Sequence, residues 1–287
     1  MNATPGLIER LDDLAAPYAA ILCDVWGVVH NGVRAFPQAC GALARMRAQG
    51  RRVVLLTNAP RLSSGVIAQL RGLGVPDDAW DAVVTSGDVT RDLIAEGPRR
   101  VFHLGPDRDL QLFDGLDVEL VEEFEAAAVI CTGLFDDETE TPEDYAEMLM
   151  RFRSRNLPMV CANPDIVVER GDRMIWCSGA LARDYGQMGG RTLIAGKPHA
   201  PIYSAAMARL NELPGEPVER KDVLAIGDGM LTDIKGAVDA GIDVLFVSGG
   251  IHFREYGPAA DAPDRTRLTA FFAQHGLWPA ASIAKLV

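Results

Sequence analysis

Along most of this chain a short apolar run is followed by an amphipathic stretch, and then the pattern repeats. This alternation constrains the fold more than any other feature. Apolar runs of four to eight residues read as buried strands, and stretches with apolar residues three and four apart read as helices. Strands joined through helices lie parallel, and a parallel sheet is covered on both faces. AAILCDVW (19–26), RRVVLLTN (51–58) and DAVVTS (81–86) are predicted strands. Between them, PQACGALARMRAQG (37–50) is a predicted helix with Leu43 and Met46 on one face and Gly50 as its stop. SSGVIAQLRGLG (63–74) is another, capped by Ser63 or Ser64 and burying Val66, Ile67, Leu70 and Leu73.

The middle of the chain is less regular. Strand-like runs occur at 101–105, 118–121, 128–133 and 158–163. A strong helix is expected over 142–156, opened by Thr141 and Pro142. Residues 166–176 pattern as a hairpin turning at Gly171-Asp172, and Ser178-Gly179 as a helix start. The first rhythm then returns, with strands at TLIAGK (192–197), DVLAIGDG (222–229) and DVLFVSGG (243–250), and helices at 199–213 and 231–241. The expected architecture is α/β: one parallel-sheet domain split by an insert from about residue 87 to 190. Small residues at Ser86-Gly87 and Gly189-Gly190 suit hinges. Trp80, Trp176 and the Phe271-Phe272 pair read as packing residues.

Composition narrows the function. The 287 residues suffice for about two domains at ~150 residues each. Lys and Arg number 28 against 40 Asp and Glu, a net charge of −12. Without a basic tract, such a chain repels a phosphate backbone, which argues against nucleic-acid partners. The first residues are acidic where a signal peptide is basic, and no run approaches the ~20 apolar residues of a membrane span. The five cysteines form no CxxC pair and read as buried, reduced thiols of a cytoplasmic protein.

In parallel α/β sheets, ligands bind beyond the carboxyl ends of the strands. Asp24 follows AAILC, Thr57-Asn58 follow VVLL, Lys197 follows TLIAG, and Asp228 follows VLAIG with Asp233 a turn later. This set suits phosphoryl transfer. A carboxylate can attack phosphorus. Converging carboxylates call for a hard divalent cation such as Mg²⁺. Thr57 can donate its hydroxyl to a phosphate oxygen, and Lys197 can hold phosphate by charge. Loop N–H groups near Trp26 and Asn58 can point at the same anion.

In this order, the Asp24 motif, Thr57-Asn58, Lys197-Pro198 and Gly227-Asp228-x4-Asp233 resemble the motifs of the haloacid dehalogenase-like hydrolase superfamily. TNAP (57–60), ANPD (162–165), GKPHAPIY (196–203) and GDGMLTDIKGA (227–237) are similar to its subfamily IIA, which includes NagD-like and p-nitrophenyl-phosphatase-like proteins. The resemblance implies a Rossmann-like doubly wound parallel-sheet core, 1–86 and 191–287, with an inserted α/β type II cap, 87–190. It implies a Mg²⁺-dependent phosphatase acting on a small phosphorylated substrate through an aspartyl-phosphate. Carried over by position, Asp24 is nucleophile and metal ligand. The Trp26 carbonyl and the Asp228 carboxylate also hold Mg²⁺, Asp233 supports the metal, and Thr57, Asn58 and Lys197 bind phosphate. Asn163 and Asp165 fall where this subfamily contacts substrate, although Asn-Pro-Asp also suits a plain turn. The resemblance allows a homodimer formed through the cap.

The sequence departs from the family at one point. The usual motif is Asp-x-Asp, with the second Asp as general acid and base. Here it is Asp24-Val25-Trp26-Gly27, and an indole shuttles no protons near neutral pH. A positioned acid contributes about 10²–10⁴-fold, so alkyl phosphates should suffer most. Three expectations follow. Another group, with His30, His199 and cap residues as candidates, replaces the Asp. Or only activated phosphates are hydrolysed. Or the chain is a catalytically weak or inactive member that binds a phosphorylated ligand or partner. His30 is otherwise a loop or substrate contact. His252 and Arg254 lie after a strand end, as a solvated helix start or a contact for a substrate anion. Dehalogenation needs no such acid, but Asp228 and Asp233 argue for a metal, which fits phosphate better than halide.

Overall fold

The computed structural model describes residues 5–170 and 173–287. Its strands are β1 (Gly6–Ile8), β2 (Ala20–Cys23), β3 (Arg52–Thr57), β4 (Ala82–Thr85), β5 (Arg100–Leu104), β6 (Glu119–Leu120), β7 (Ala128–Cys131), β8 (Met159–Cys161), β9 (Val167–Arg170), β10 (Arg173–Trp176), β11 (Thr192–Ile194), β12 (Val223–Gly227), β13 (Asp243–Val247) and β14 (Ala281–Ile283). The chain divides into two compact units. One comprises Met1–Thr57, Ile67–Val84 and Tyr203–Val287, the other Asn58–Val66 and Thr85–Ile202. The second unit holds all of the insert expected at 87–190 and adds 58–66, 85–86 and 191–202.

The first unit is built on a seven-stranded sheet in the order β1-β14-β13-β12-β2-β3-β4, and the pairings from β1 through to β3 are parallel. β2 is buried at every residue and so is β12, as strands covered on both faces must be. The chain runs outward from β2 to β3 and β4, then returns to the other side of β2 with β12, β13 and β14. The order therefore reverses between β2 and β12. The helix Pro37–Ala48 starts on Pro37 and buries Ala39, Cys40, Ala42, Leu43 and Met46, the face expected from its sequence. Trp80, Phe271 and Phe272 are buried as packing residues.

The second unit carries its own parallel sheet, in the order β11-β8-β7-β5-β6. Its strands feed two cores by alternation. Val129, Cys131, Met159 and Cys161 pack on one face with Phe152, Leu181 and Tyr185, while Ala128, Ile130 and Val160 pack on the other with Ile94, Leu112 and Phe113. Trp176 lies against the first of these cores. The helical stretch after Thr141 opens with a capping box, in which the Asp144 carboxylate accepts the Thr141 N–H at 2.8 Å. β9 and β10 form the antiparallel hairpin, and its expected turn at Gly171-Asp172 lies outside the described residues. Ser86-Gly87 forms the first turn of the helix Ser86–Ala95, capped by the Thr85 hydroxyl.

Two expectations are corrected. TLIAGK does not rejoin the first sheet, since Thr192–Ile194 pairs with Met159–Cys161 as the edge strand of the second. Three apolar residues carry no signal for which sheet receives them. The helix expected over 231–241 is instead a single π-turn, Met230–Ile234, followed by a short α-helix, Lys235–Asp239.

All five thiols are buried. Burial pushes Cys161 up to about 12 and raises Cys131 and Cys177 well above the ordinary thiol range. Thiolate is the reactive form. Ellman's reagent at pH 8 should therefore label the native protein very slowly, and five equivalents should react at once in denaturant.

Candidate active site

The carboxyl ends of β2 and β12 meet at the point where strand order reverses, which is where open α/β sheets bind ligands. Cys23 stands opposite Ile226 in the register, and the Asp24 N–H donates to the Ile226 carbonyl at 2.8 Å. Asp24 and Asp228, each the residue after its strand, are thereby neighbours. Asp233 returns to the same place through the π-turn. Both its N–H and that of Ile234 donate to the Gly229 carbonyl, at 2.9 and 3.1 Å. Its carboxylate accepts the Gly229 N–H at 3.0 Å. Single π-turns recur at functional sites because they re-aim one side chain.

Carboxylate oxygens of Asp24, Asp228 and Asp233 lie within 4.8 Å of one another, and all three residues are buried, at 7%, 5% and 6% exposure. Gly27 has φ +84°, and a methyl group there would overlap the Asp228 carboxylate. The same carboxylate accepts the Ile251 N–H at 2.8 Å. The donors are all oxygen and all anionic by type. That set fits a hard divalent cation held by the side chains of Asp24, Asp228 and Asp233. Thr57 ends β3, beside β2, and is buried at the same end of the sheet.

The loop after Asp24 is closed by its own backbone. The Val29 N–H donates to the Val25 carbonyl at 2.8 Å, and the Gly27 N–H to the His30 carbonyl at 2.8 Å. His30 is 2% exposed, its Nδ1 accepts the Gly32 N–H at 2.9 Å, and the Trp26 ring meets it edge-on at 5.0 Å. Its geometry is that of a neutral imidazole bracing the loop. His252 is also structural in placement: its Nε2 accepts the Met230 N–H at 3.3 Å, at the start of the π-turn, and burial holds it below its ordinary range.

The remaining expected residues gather in the second unit. The Asn58 amide bonds the Lys197 backbone and the Asp165 carboxylate, at 2.7 to 3.2 Å. Asn163 forms the expected turn, with its Oδ1 accepting the Asp165 N–H at 3.0 Å. His199 is exposed on the turn after Lys197.

One polar group went unread in the sequence. The second sheet also reverses, between β5 and β7, and polar groups gather there: His103, half-buried within β5, and Thr132, buried just after β7. His103 Nε2 and Thr132 Oγ1 lie 2.9 Å apart. Asp109 is 3% exposed, its Oδ1 lacks a hydrogen-bond partner among the described residues, and burial raises its carboxyl above the usual range. Arg61 faces it electrostatically. The rule that pointed to Asp24 and Asp228, applied to this second sheet, reaches Thr132 just after β7, but not His103 within β5 or Asp109 five residues beyond it.

Comparison with known proteins agrees with this geometry. Residues 21–119 match the model of the haloacid dehalogenase-like hydrolases, and 194–268 match a second HAD-hydrolase-like model. A solved haloacid dehalogenase-like hydrolase from Brucella suis 1330 is 61% identical, with a TM-score of 0.89 over 98% of this chain and 100% of that one. The chain belongs to the haloacid dehalogenase-like hydrolase family. Its relatives include NagD-like proteins. The 5′-nucleotidase YutF of Bacillus subtilis is 24% identical over 83% of this chain and 90% of its own length. The ribonucleotide monophosphatase NagD of Escherichia coli K12 is 25% identical over 80% and 88%.

Two outcomes are expected. A cation at about a hundred times its dissociation constant stabilises its protein by about 2.7 kcal/mol. Mg²⁺ titrated against thermal unfolding should therefore raise the Tm, and Asp228→Asn should remove most of that rise. Burial lowers His103 from 6.5 to about 4. As pH falls from about 6.5 to about 4 the unfolded chain takes a proton that the fold refuses, so stability falls. His103→Gln should make the Tm decline across that window shallower, and an unchanged slope would show that His103 is not held neutral.

Proposed function

We propose that this protein is a cytoplasmic Mg²⁺-dependent phosphatase of small phosphorylated metabolites, working through an aspartyl-phosphate at Asp24. The observation that carries this reading is the buried triad of Asp24, Asp228 and Asp233 at the switch point of a parallel sheet. The names of the two curated relatives, a nucleotidase and a ribonucleotide monophosphatase, support the same chemistry. Residues 87–190 act as the cap that selects the leaving group. Asp24, Asp228, Asp233 and the Trp26 carbonyl hold the cation, which when bound neutralises the charge on the phosphate oxygens.

The Asp24 carboxylate attacks phosphorus, the bond from phosphorus to the ester oxygen breaks, and the leaving group departs with that electron pair as its oxyanion, to be protonated by solvent according to its basicity. Water then attacks the phosphorus of the aspartyl-phosphate, which releases phosphate and restores Asp24. The Thr57 hydroxyl, the Asn58 N–H and the Lys197 ammonium hold the phosphate oxygens through both steps.

Trp26 and His30 shape this chemistry further. The indole offers no proton, and the His30 Nδ1 is occupied by the Gly32 N–H. The loop thus favours esters whose leaving groups need no protonation, which means aryl and acyl phosphates over alkyl ones. The same observation favours a second reading, a weak enzyme that chiefly binds a phosphorylated ligand.

Phosphate release from a panel of aryl, acyl and alkyl phosphates, with and without Mg²⁺, separates the two. Mg²⁺-dependent turnover that Asp24→Asn abolishes is the expected result, with alkyl substrates about 10²-fold or more behind aryl ones. Trp26→Asp should narrow that gap. A folded protein that binds Mg²⁺ and turns over nothing would leave the binding reading in place.

A further inference from the structure

Lysine carries its charge on a flexible four-carbon stem, so the ammonium is only as well placed as the backbone it hangs from. The backbone of Lys197 is held from two sides by one side chain. Its N–H donates to Asn58 Oδ1 at 2.7 Å, and its carbonyl accepts from Asn58 Nδ2 at 3.2 Å. The Asn58 amide thus pairs with Lys197 as a neighbouring strand's peptide would. A two-point contact fixes direction as well as distance.

A third bond fixes the amide itself. Asn58 Nδ2 also donates to Asp165 Oδ1 at 2.9 Å. Both acceptors face the NH₂ end and the one donor faces the oxygen, so only one orientation of the amide satisfies all three. Asp165 is anchored in turn. Its N–H donates to Asn163 Oδ1, and Asn163 is latched by Ser178: the Ser178 hydroxyl accepts the Asn163 N–H at 3.1 Å and donates to its carbonyl at 2.9 Å. Asn58 and Asn163 are buried, and so is Lys197. At Gly196 a side chain would collide with Asn58 Oδ1, Pro164 and Ser86. The absence of a Cβ there lets the amide reach the Lys197 N–H.

We infer that Asn58 and Asp165 are positioning residues, which act on phosphate through Lys197 by fixing the lysine's backbone. The inference rests on the phosphate-binding role given to Lys197 above. With its oxygen and both NH₂ hydrogens engaged, the Asn58 side chain has no donor left for phosphate. Any direct contact it makes comes from its backbone N–H. Asn-Pro-Asp accordingly serves the lysine rather than the leaving group.

The test compares Asn58→Ala, Asp165→Ala, Asp165→Asn, Lys197→Ala and the double variant Asn58→Ala/Lys197→Ala. Each is measured for kcat and KM on p-nitrophenyl phosphate, for the dissociation constant of inorganic phosphate with Mg²⁺, and for Tm. Asn58→Ala and Asp165→Ala should lose about 10–100-fold in kcat/KM, the cost of misplacing a contact by about an ångström. Asp165→Asn keeps an oxygen for the Asn58 N–H and should retain about tenfold more activity than Asp165→Ala. In the Lys197→Ala background, Asn58→Ala should add less than about twofold in either readout, because it acts through the missing side chain.

Wild-type kcat/KM in Asn58→Ala would overturn the inference. So would a double variant worse than Lys197→Ala by the full Asn58 factor. Equal losses in Asp165→Ala and Asp165→Asn, or a fall in Tm alone, would also overturn it. Should Asn58→Ala not fold, the Asp165 pair decides. Lys197→Ala with wild-type turnover and phosphate affinity would instead sink the role given to the lysine, a result distinct from every one of these.

Discussion

The repulsion among three buried carboxylates is the constraint around which the first unit is arranged. At separations within 4.8 Å, each pair of charges repels by about 3 kcal/mol or more at an effective dielectric near 20. A fold can carry that cost only where hydrogen-bond donors and a cation offset it. The Ile251 and Gly229 N–H groups supply part of the compensation directly. The bareness of Gly27 lets the loop after β2 close against Asp228. The reversal of strand order puts the ends of β2 and β12 side by side in the first place.

The second unit follows the same logic with different chemistry. Its parallel sheet presents polar residues near the carboxyl ends of its strands: half-buried His103 with buried Thr132 and Asp109 near β5 and β7, buried Asn163 and half-buried Asp165 after β8, and buried Lys197 after β11. Most of these groups are committed to one another. The clamp of Asn58 on Lys197 shows what such commitment achieves. A flexible cation becomes a placed one because its backbone, rather than its side chain, is the part held by hydrogen bonds.

The loop between Asp24 and His30 sets the chemistry apart from that of the usual family motif. Trp26 stands where the usual motif has its second Asp and meets the ring of His30 edge-on, and the His30 Nδ1 accepts the Gly32 N–H.

The parts of the molecule that were legible along the chain are those set by local chemistry. Apolar runs marked most of the core strands of both sheets. Pro37, Thr141-Pro142 and Ser178 marked helix starts, and Asp24, Thr57, Lys197, Asp228 and Asp233 stood out because a strand end is a local event. What stayed hidden was set by pairing over long separations. Nothing within TLI says that β11 should join β8 rather than the first sheet, since any open parallel edge satisfies its backbone. The π-turn at 230–234 closes through the Ile234 N–H on the Gly229 carbonyl, with the Asp233 carboxylate accepting the Gly229 N–H, and helical periodicity is blind to one extra residue. Asn58 and Lys197 are separated by 139 residues, so their clamp exists only once both stretches have folded against Asp165. Local side-chain chemistry thus determines which residues can act, and the folding together of distant segments decides which of them hold the others in place.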